Sequence, residues 1–173
     1  MDLKTVAVWA VTFLLVVGVL SVTIGRDIIN QKQPTLTSFS VIHFSGYLFF
    51  LVLPVEILVP YYLSEGYLAI ILIFLALVTA VVAQIIDYSL GFLVSEKVIH
   101  NLIGSWRYRK YERVIKKYGA IAILVFNLFP LSSPILSLIA GMLRYDFKRF
   151  FLFSVSGLVI KYTLLAYGFS LFL

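Results

Sequence analysis

Three ionisable residues stand where the surrounding sequence is apolar, and they are the first candidates for chemistry. Glu56 lies between Pro54 and Pro60 within a long apolar stretch, Asp87 follows an apolar run, and Lys161 lies inside the last apolar segment. Burying such a group in an apolar environment is costly, so its presence indicates function by default. For Glu56 the structural alternative is a cap at the N-terminus of a short helix, where an acid is favourable.

Asp87 and Lys161 also have matching neighbours. Pro60 precedes Asp87 by 27 residues, Pro134 precedes Lys161 by 27 residues, and each charged residue is followed by tyrosine. The spacing is compatible with a buried ion pair that joins two halves of the protein. It is equally compatible with two separate charges near an interface, with the Lys161 side chain extended toward water.

A third group of polar residues occurs in the stretch 120–143. Asn127, Ser132 and Ser133 lie beside Pro130 and Pro134. Together with amide groups at a helix N-terminus they can bind headgroup oxygens. They can also form ordinary hydrogen bonds between helices, and we expect Glu56 to approach this loop if function requires it.

Composition decides which elements hold these residues. Hydrophobic residues make up 62% of the 173, charged residues 13%, and the mean hydropathy is +1.05. A soluble domain carries about 25% charged residues. The sequence therefore predicts an all-α polytopic membrane protein with a single domain.

Other classes of site have no support in the sequence. Cysteine is absent, which excludes disulfides and thiolate sites. His43 and His100 lack the spacing of metal ligands, and we expect both to be incidental. No phosphate-binding loop, dinucleotide motif, zinc-protease motif or nucleophile motif occurs, so no enzymatic activity, metal or cofactor is predicted.

The apolar stretches and their breaks divide the chain into six segments. We predict transmembrane helices at 4–24, 67–94 and 150–173, re-entrant hairpins at 36–63 and 120–143, and a basic cytoplasmic segment at 95–118. A cleaved signal peptide is the alternative for 4–24, but its apolar run is long and no cleavage pattern follows it.

Charge predicts the orientation. Segment 95–118 carries half of the fourteen Lys and Arg residues, which places it in the cytoplasm of a cell membrane. The turn 144–149 is also net positive, yet only the stretch 120–143 separates the two. A hairpin that enters and returns satisfies both, whereas a proline-kinked span is the alternative. Treating 36–63 in the same way from the opposite face gives three crossings, an internal N-terminus and an external C-terminus.

The basic segment has an amphipathic pattern. Val98, Ile99, Leu102, Ile103 and Trp106 recur at helical spacing. We expect a helix lying on anionic lipid rather than on nucleic acid, with an ordinary cytoplasmic loop as the alternative. The residues expected to contact lipid headgroups are Arg107, Arg109, Lys110, Arg113, Lys116 and Lys117.

The two proline-containing stretches predict an internal repeat. Each is followed by a turn and then by a long span, and the prolines keep the same distance to Asp87 and Lys161. Interrupted apolar segments at corresponding positions of two halves are typical of inverted-repeat transporters with a central site.

From about Val52 to Tyr162 the chain resembles the DedA family of VTT-domain membrane proteins. The residues that carry the resemblance are Glu56, Pro60, Asp87-Tyr88-Ser89-Leu90-Gly91, Lys117-Tyr118-Gly119, Phe129-Pro130, Ala140-Gly141, Phe150 and Gly157. The resemblance implies two facing re-entrant hairpins and the movement of lipids across membranes, including polyprenyl-phosphate transport and phospholipid scrambling.

One departure from the family pattern affects the expected substrate. Where bacterial transporters of the family typically carry two arginines around the second hairpin, this chain has Asn127 and Ser133. We therefore expect weak selection among phospholipid headgroups and no strong proton dependence. The alternatives to a lipid transporter or scramblase are a proton- or ion-coupled transporter of a small solute, using Glu56 and Asp87, and a membrane scaffold that transports nothing.

Overall fold

A computed structural model describes Gly18 and residues 34–48, 54–93, 104–129 and 133–170, and these residues form helices and turns with no strand among them. The predicted helix 4–24, apart from Gly18, lies outside the described residues. The elements are α1 (Leu36–Gly46), a 3₁₀ helix (Val55–Ile57) that runs into α2 (Leu58–Ser64), α3 (Ala69–Leu93), α4 (Ser105–Tyr118), α5 (Ala120–Leu128), α6 (Ser133–Met142) and α7 (Phe147–Ser170).

Two of these helices, α3 and α7, are long and apolar enough to cross a membrane. Their mean hydropathies reach 2.9 and 1.6. At about 1.5 Å per residue each exceeds the ~30 Å hydrocarbon core. The predicted span at 67–94 is confirmed as a helix. The last helix begins three residues earlier than predicted because Asp146 caps it, with its Oδ1 accepting from the Arg149 amide at 2.8 Å.

The two long helices are each crossed closely by a short one. A Cβ atom added at Gly91 of α3 would lie 1.8 Å from the carbonyl oxygen of Leu138 in α6. Reciprocally, one added at Gly141 of α6 would lie 1.9 Å from the carbonyl oxygen of Tyr88 in α3. Both positions therefore require glycine, since any side chain would push the backbones apart. On the other side of the protein α5 packs against α7 around Gly157.

The prolines do not all break helices. Pro54 precedes the 3₁₀ helix and ends the gap after α1, as expected of a break. Pro60 and Pro134 lie inside α2 and α6, near their starts, so the prediction that they break the hairpins is wrong. A proline in the first turn is tolerated because its missing N–H would have no intrahelical acceptor there. Pro130 lies outside the described residues.

The turns after α2 and α6 have the same hydrogen-bond pattern. Gly66 N–H donates to Leu63 at 3.0 Å, and Arg144 N–H donates to Gly141 at 2.9 Å. Each turn also has a tyrosine amide bonded to the carbonyl five residues earlier, the arrangement of a Schellman motif. Gly66 and Arg144 both have positive φ, +88° and +52°. The two halves therefore correspond at an offset of 78 residues, from 66 to 144, and not at the 74 implied by Pro60 and Pro134.

Two apolar clusters hold the helices together. The first joins α1, α2, α3 and the second half of α7, and the second joins α4, α5, α6 and the first half of α7. The start of α1 is fixed by a capping box of Thr35 and Ser38, and the Ser38 hydroxyl bonds to Tyr62 of α2 at 2.6 Å. The long helices α3 and α7 pack on each other and contribute to both clusters, so polar groups on them are held firmly.

Candidate functional site

The best-defined charged site centres on Lys161 in the middle of α7. Its ammonium donates to Glu56 Oε1 at 2.9 Å and to the Tyr47 hydroxyl at 2.5 Å. The rings of Tyr47 and Tyr162 lie 5.1 and 5.2 Å from the same nitrogen, within the range of cation–π attraction. The Lys161 side chain is 5% exposed and that of Glu56 is 22% exposed. The pair links the 3₁₀ helix of the first half to the last long helix.

This geometry corrects the predicted partner of Lys161, which is Glu56 and not Asp87. The 27-residue spacing assumed that Asp87 and Lys161 were equivalent in the two halves, whereas the turns align position 161 with position 83, about one helical turn earlier in α3 than Asp87. Asp87 is fully buried on α3. Glu56 is accordingly more than a cap, because its carboxylate faces a buried ammonium.

His43 is the residue that the sequence reasoning undervalued most. It is fully buried, and its Nδ1 and Nε2 lie 2.8 Å from the Thr79 hydroxyl and 2.7 Å from the Tyr162 hydroxyl. Its ring stacks on Phe39 and Tyr47, one turn away on either side. The expectation that His43 is incidental is wrong. The pattern Phe39, His43, Tyr47 repeats every four residues and was available in the sequence as one face of α1.

A second polar cluster lies where α3, α5 and α7 meet. Asn127 accepts a hydrogen bond from the Gln84 amide and donates to the Ile123 carbonyl at 2.9 Å and to the Ser154 hydroxyl at 3.4 Å. All three polar side chains are buried. Gln84 and Ser154 were not among the candidates from sequence, because single polar residues in apolar helices give no indication of which face they occupy.

The two clusters occupy different levels of α7. Glu56 reaches Lys161, whereas Asn127 reaches Ser154, seven residues or about 10 Å earlier along the helix. The expected approach of Glu56 to the loop after Asn127 is therefore replaced by two polar sites along one helix. Ser133 is buried at the start of α6, where its carbonyl accepts from Ser137, and Ser132 lies outside the described residues.

The comparison with known families agrees with this architecture. The sequence model of the VTT domain matches residues 40–171, more than three quarters of the chain. The chain belongs to the VTT-domain family. The resemblance to DedA proteins is thereby confirmed, and VTT-domain membership together with α3 and α7 identifies a helical membrane protein.

One curated relative of this VTT-domain protein is an uncharacterized protein of Haemophilus influenzae. It is 24% identical over 131 residues, which cover 73% of this chain and 68% of the relative. No solved structure gives a significant match. The relatives therefore supply the family, and the roles of individual residues rest on this chain's own geometry.

Helix α4 of the VTT domain carries the basic residues. Tyr108, Tyr111 and Ile115 form its buried face, which packs on α5 and α6. Trp106 is 68% exposed and so does not belong to that face. All six predicted headgroup-contacting residues are exposed, and Lys110 lies over the Trp106 ring at 5.3 Å. Residues 98–103 of the predicted amphipathic pattern lie outside the described part.

Proposed function

We propose that this protein moves membrane lipids between leaflets, with phospholipids and polyprenyl phosphates as the substrate classes. The observation that carries the proposal is the Glu56–Lys161 pair buried between helices of a VTT-domain membrane protein. Ionisable groups at such positions are rare and mark substrate or ion pathways. A lipid headgroup needs polar partners while it crosses, and the two clusters on α7 offer them at successive levels.

The proposed architecture is an inverted repeat. Each half contains a re-entrant hairpin, α1 with α2 or α5 with α6, followed by a crossing helix, and a further crossing helix precedes them at 4–24. The identical turns at a constant offset support the repeat, and the positive charge on both sides of 120–143 supports the hairpin. The proposed location is the cell membrane, with 95–118 in the cytoplasm.

A second candidate, a proton- or ion-coupled transporter of a small solute, is favoured by the fully buried carboxylate of Asp87. Ionisable residues at this depth also build proton and ion relays. Reconstitution separates the candidates. Lipid movement in liposomes without any gradient supports the first, solute uptake driven by a pH or ion gradient supports the second, and neither result leaves a membrane scaffold.

The variant that tests the lipid proposal is Glu56→Gln. Glutamine keeps an oxygen that can accept from Lys161 but removes the charge, so the protein should still purify as a folded species. We expect the transfer rate of acyl-labelled lipid, measured by quenching the label in the outer leaflet, to fall about tenfold or more, equivalent to about 1.4 kcal/mol of barrier.

The matched control for this variant is Glu65→Gln. Glu65 is a second carboxylate nine residues further on, exposed in the turn after α2. Its substitution should leave the rate unchanged. Wild-type rates from a folded Glu56→Gln protein would remove Glu56 from the mechanism.

A further inference from the structure

The Glu56–Lys161 pair is a dipole with one accessible end. Of its two side chains only Glu56 is substantially exposed, at 22% against 5% for Lys161. The carboxylate lies in the 3₁₀ helix before α2, next to the exposed side chain of Ile57, whereas the ammonium lies behind it between two tyrosine rings. A molecule that enters this site from the membrane meets the negative group first and the positive group second.

We propose that this dipole selects a lipid whose headgroup carries both a phosphate and a primary ammonium, an aminophospholipid of zero net charge. The inference rests on the proposed lipid movement and names its substrate. The lipid ammonium takes the place of Lys161 on Glu56, and Lys161 takes the lipid phosphate. Each charge then exchanges one partner of opposite sign for another, so the complex adds no net charge to the apolar surroundings.

The walls of the site suit an ammonium group. The Tyr47 hydroxyl already accepts a hydrogen bond from Lys161 at 2.5 Å, and a lipid ammonium that replaces it on Glu56 finds the same acceptor. The ring faces of Tyr47 and Tyr162 attract cations without supplying charge. His43 holds the Tyr162 hydroxyl at 2.7 Å, which fixes that ring in place.

An anionic headgroup suits the same site poorly. It can take Lys161, but it leaves the Glu56 carboxylate without its cation and brings a second negative charge beside it. Uncompensated charge in a low-dielectric site is costly. The structure thus replaces the expectation of weak headgroup selection, which considered the second hairpin alone, with selection for a zwitterion at the first.

The decisive experiment compares lipids on the wild-type protein, so it depends on no variant. Acyl-labelled phosphatidylethanolamine, its N-acetylated form and phosphatidylglycerol are each placed in liposomes that contain the reconstituted protein. N-acetylation removes the ammonium charge and keeps the phosphate. We expect phosphatidylethanolamine to cross at least tenfold faster than the other two. Equal rates for all three overturn the zwitterion site and leave lipid movement standing, whereas movement of none overturns the proposed function.

A binding measurement and a neutral variant complete the test. Native mass spectrometry of the purified protein should show phosphatidylethanolamine retained in preference to phosphatidylglycerol. In the variant Glu56→Gln/Lys161→Met, which removes both charges, that preference should disappear, while Glu65→Gln should keep it. Undiminished preference in the folded double variant places the selecting groups elsewhere and contradicts the inference.

Discussion

At the scale of single residues, the buried ammonium of Lys161 explains why Glu56 is where it is. A lysine that is almost wholly buried needs an acceptor of opposite charge, since an isolated ammonium in an apolar interior is far costlier than a pair. The 3₁₀ helix supplies Glu56 and the end of α1 supplies Tyr47. Residues from three separate segments thus satisfy one cation.

We predict that charge reversal identifies the partner of Lys161. Breaking a buried pair by removing one partner costs roughly 3–5 kcal/mol, with less expected here because Glu56 is partly exposed. The double variant Glu56→Lys/Lys161→Glu should recover much of the stability that either single change loses. Thermal unfolding in detergent measures this.

The comparison cycle for this prediction uses Asp87. The double variant Asp87→Lys/Lys161→Asp should be no more stable than the sum of its single changes. Recovery in that cycle and its absence in the Glu56 cycle would restore the pairing that the spacing suggested.

At the scale of helices, the reciprocal contact of α3 and α6 depends on two glycines. Alanine at Gly91 places a methyl group where the Leu138 carbonyl oxygen lies, and alanine at Gly141 meets the Tyr88 carbonyl. Because backbone atoms cannot rotate away, we expect each change to destabilise the protein by at least the 1–3 kcal/mol typical of overpacking. The measurement is thermal unfolding of each purified variant.

The matched control for the crossing is Gly168→Ala in α7. A Cβ atom there has no neighbour within 4 Å in the described structure. We expect that variant to be as stable as the wild type, or more stable by up to about 1 kcal/mol, because alanine favours helix over glycine. Equal losses at Gly91 and Gly168 would show that the crossing is not the cause.

We predict that α4 lies on anionic lipid through its exposed basic face. The chain has two tryptophans, so Trp9→Phe leaves Trp106 as the single fluorophore. In nanodiscs that contain phosphatidylglycerol, Trp106 emission should shift to shorter wavelength and be quenched by brominated lipid. Each basic side chain near an anionic surface contributes about 1 kcal/mol.

Two controls bear on that prediction. Nanodiscs of phosphatidylcholine alone should give a smaller shift, and replacing Arg107, Arg109 and Lys110 by glutamine should abolish the dependence on phosphatidylglycerol. An emission spectrum that is the same in both lipids would assign α4 to an ordinary cytoplasmic loop.

At the scale of the whole molecule, the two halves share the long helices. The first apolar cluster takes the second half of α7 and the second cluster takes its first half, so neither half has a complete core alone. An inverted repeat of this kind can move one hairpin against the other around groups fixed on α3 and α7.

We predict that both ends of 120–143 face the cytoplasm. The chain has no cysteine, so single cysteines at Lys117 and Lys148, both exposed, report their own positions. Each should react with an impermeant thiol reagent from the cytoplasmic side only, and a cysteine at Glu65 only from the opposite side. Labelling of positions 117 and 148 from different sides would replace the hairpin by a full crossing.

The sequence alone determined the class of the protein, the long helices and the family. Continuous apolar runs predict α3 and α7 because a span depends only on local hydropathy and length. The family pattern likewise consists of residues close together in the chain. Glu56 and Lys161 were both identified as candidates, since a charge in an apolar run is visible without any knowledge of its neighbours.

Only the tertiary structure decided which of these residues meet. Glu56 and Lys161 are more than a hundred positions apart, and the spacing of prolines pointed to Asp87 because it gave the wrong offset between the halves. The true offset depends on the turns at Gly66 and Arg144, whose geometry is set by backbone hydrogen bonds. His43, Gln84 and Ser154 acquire partners only when α1, α3, α5 and α7 pack, because a side chain's face is known from the helix but its contacts come from the neighbouring helix.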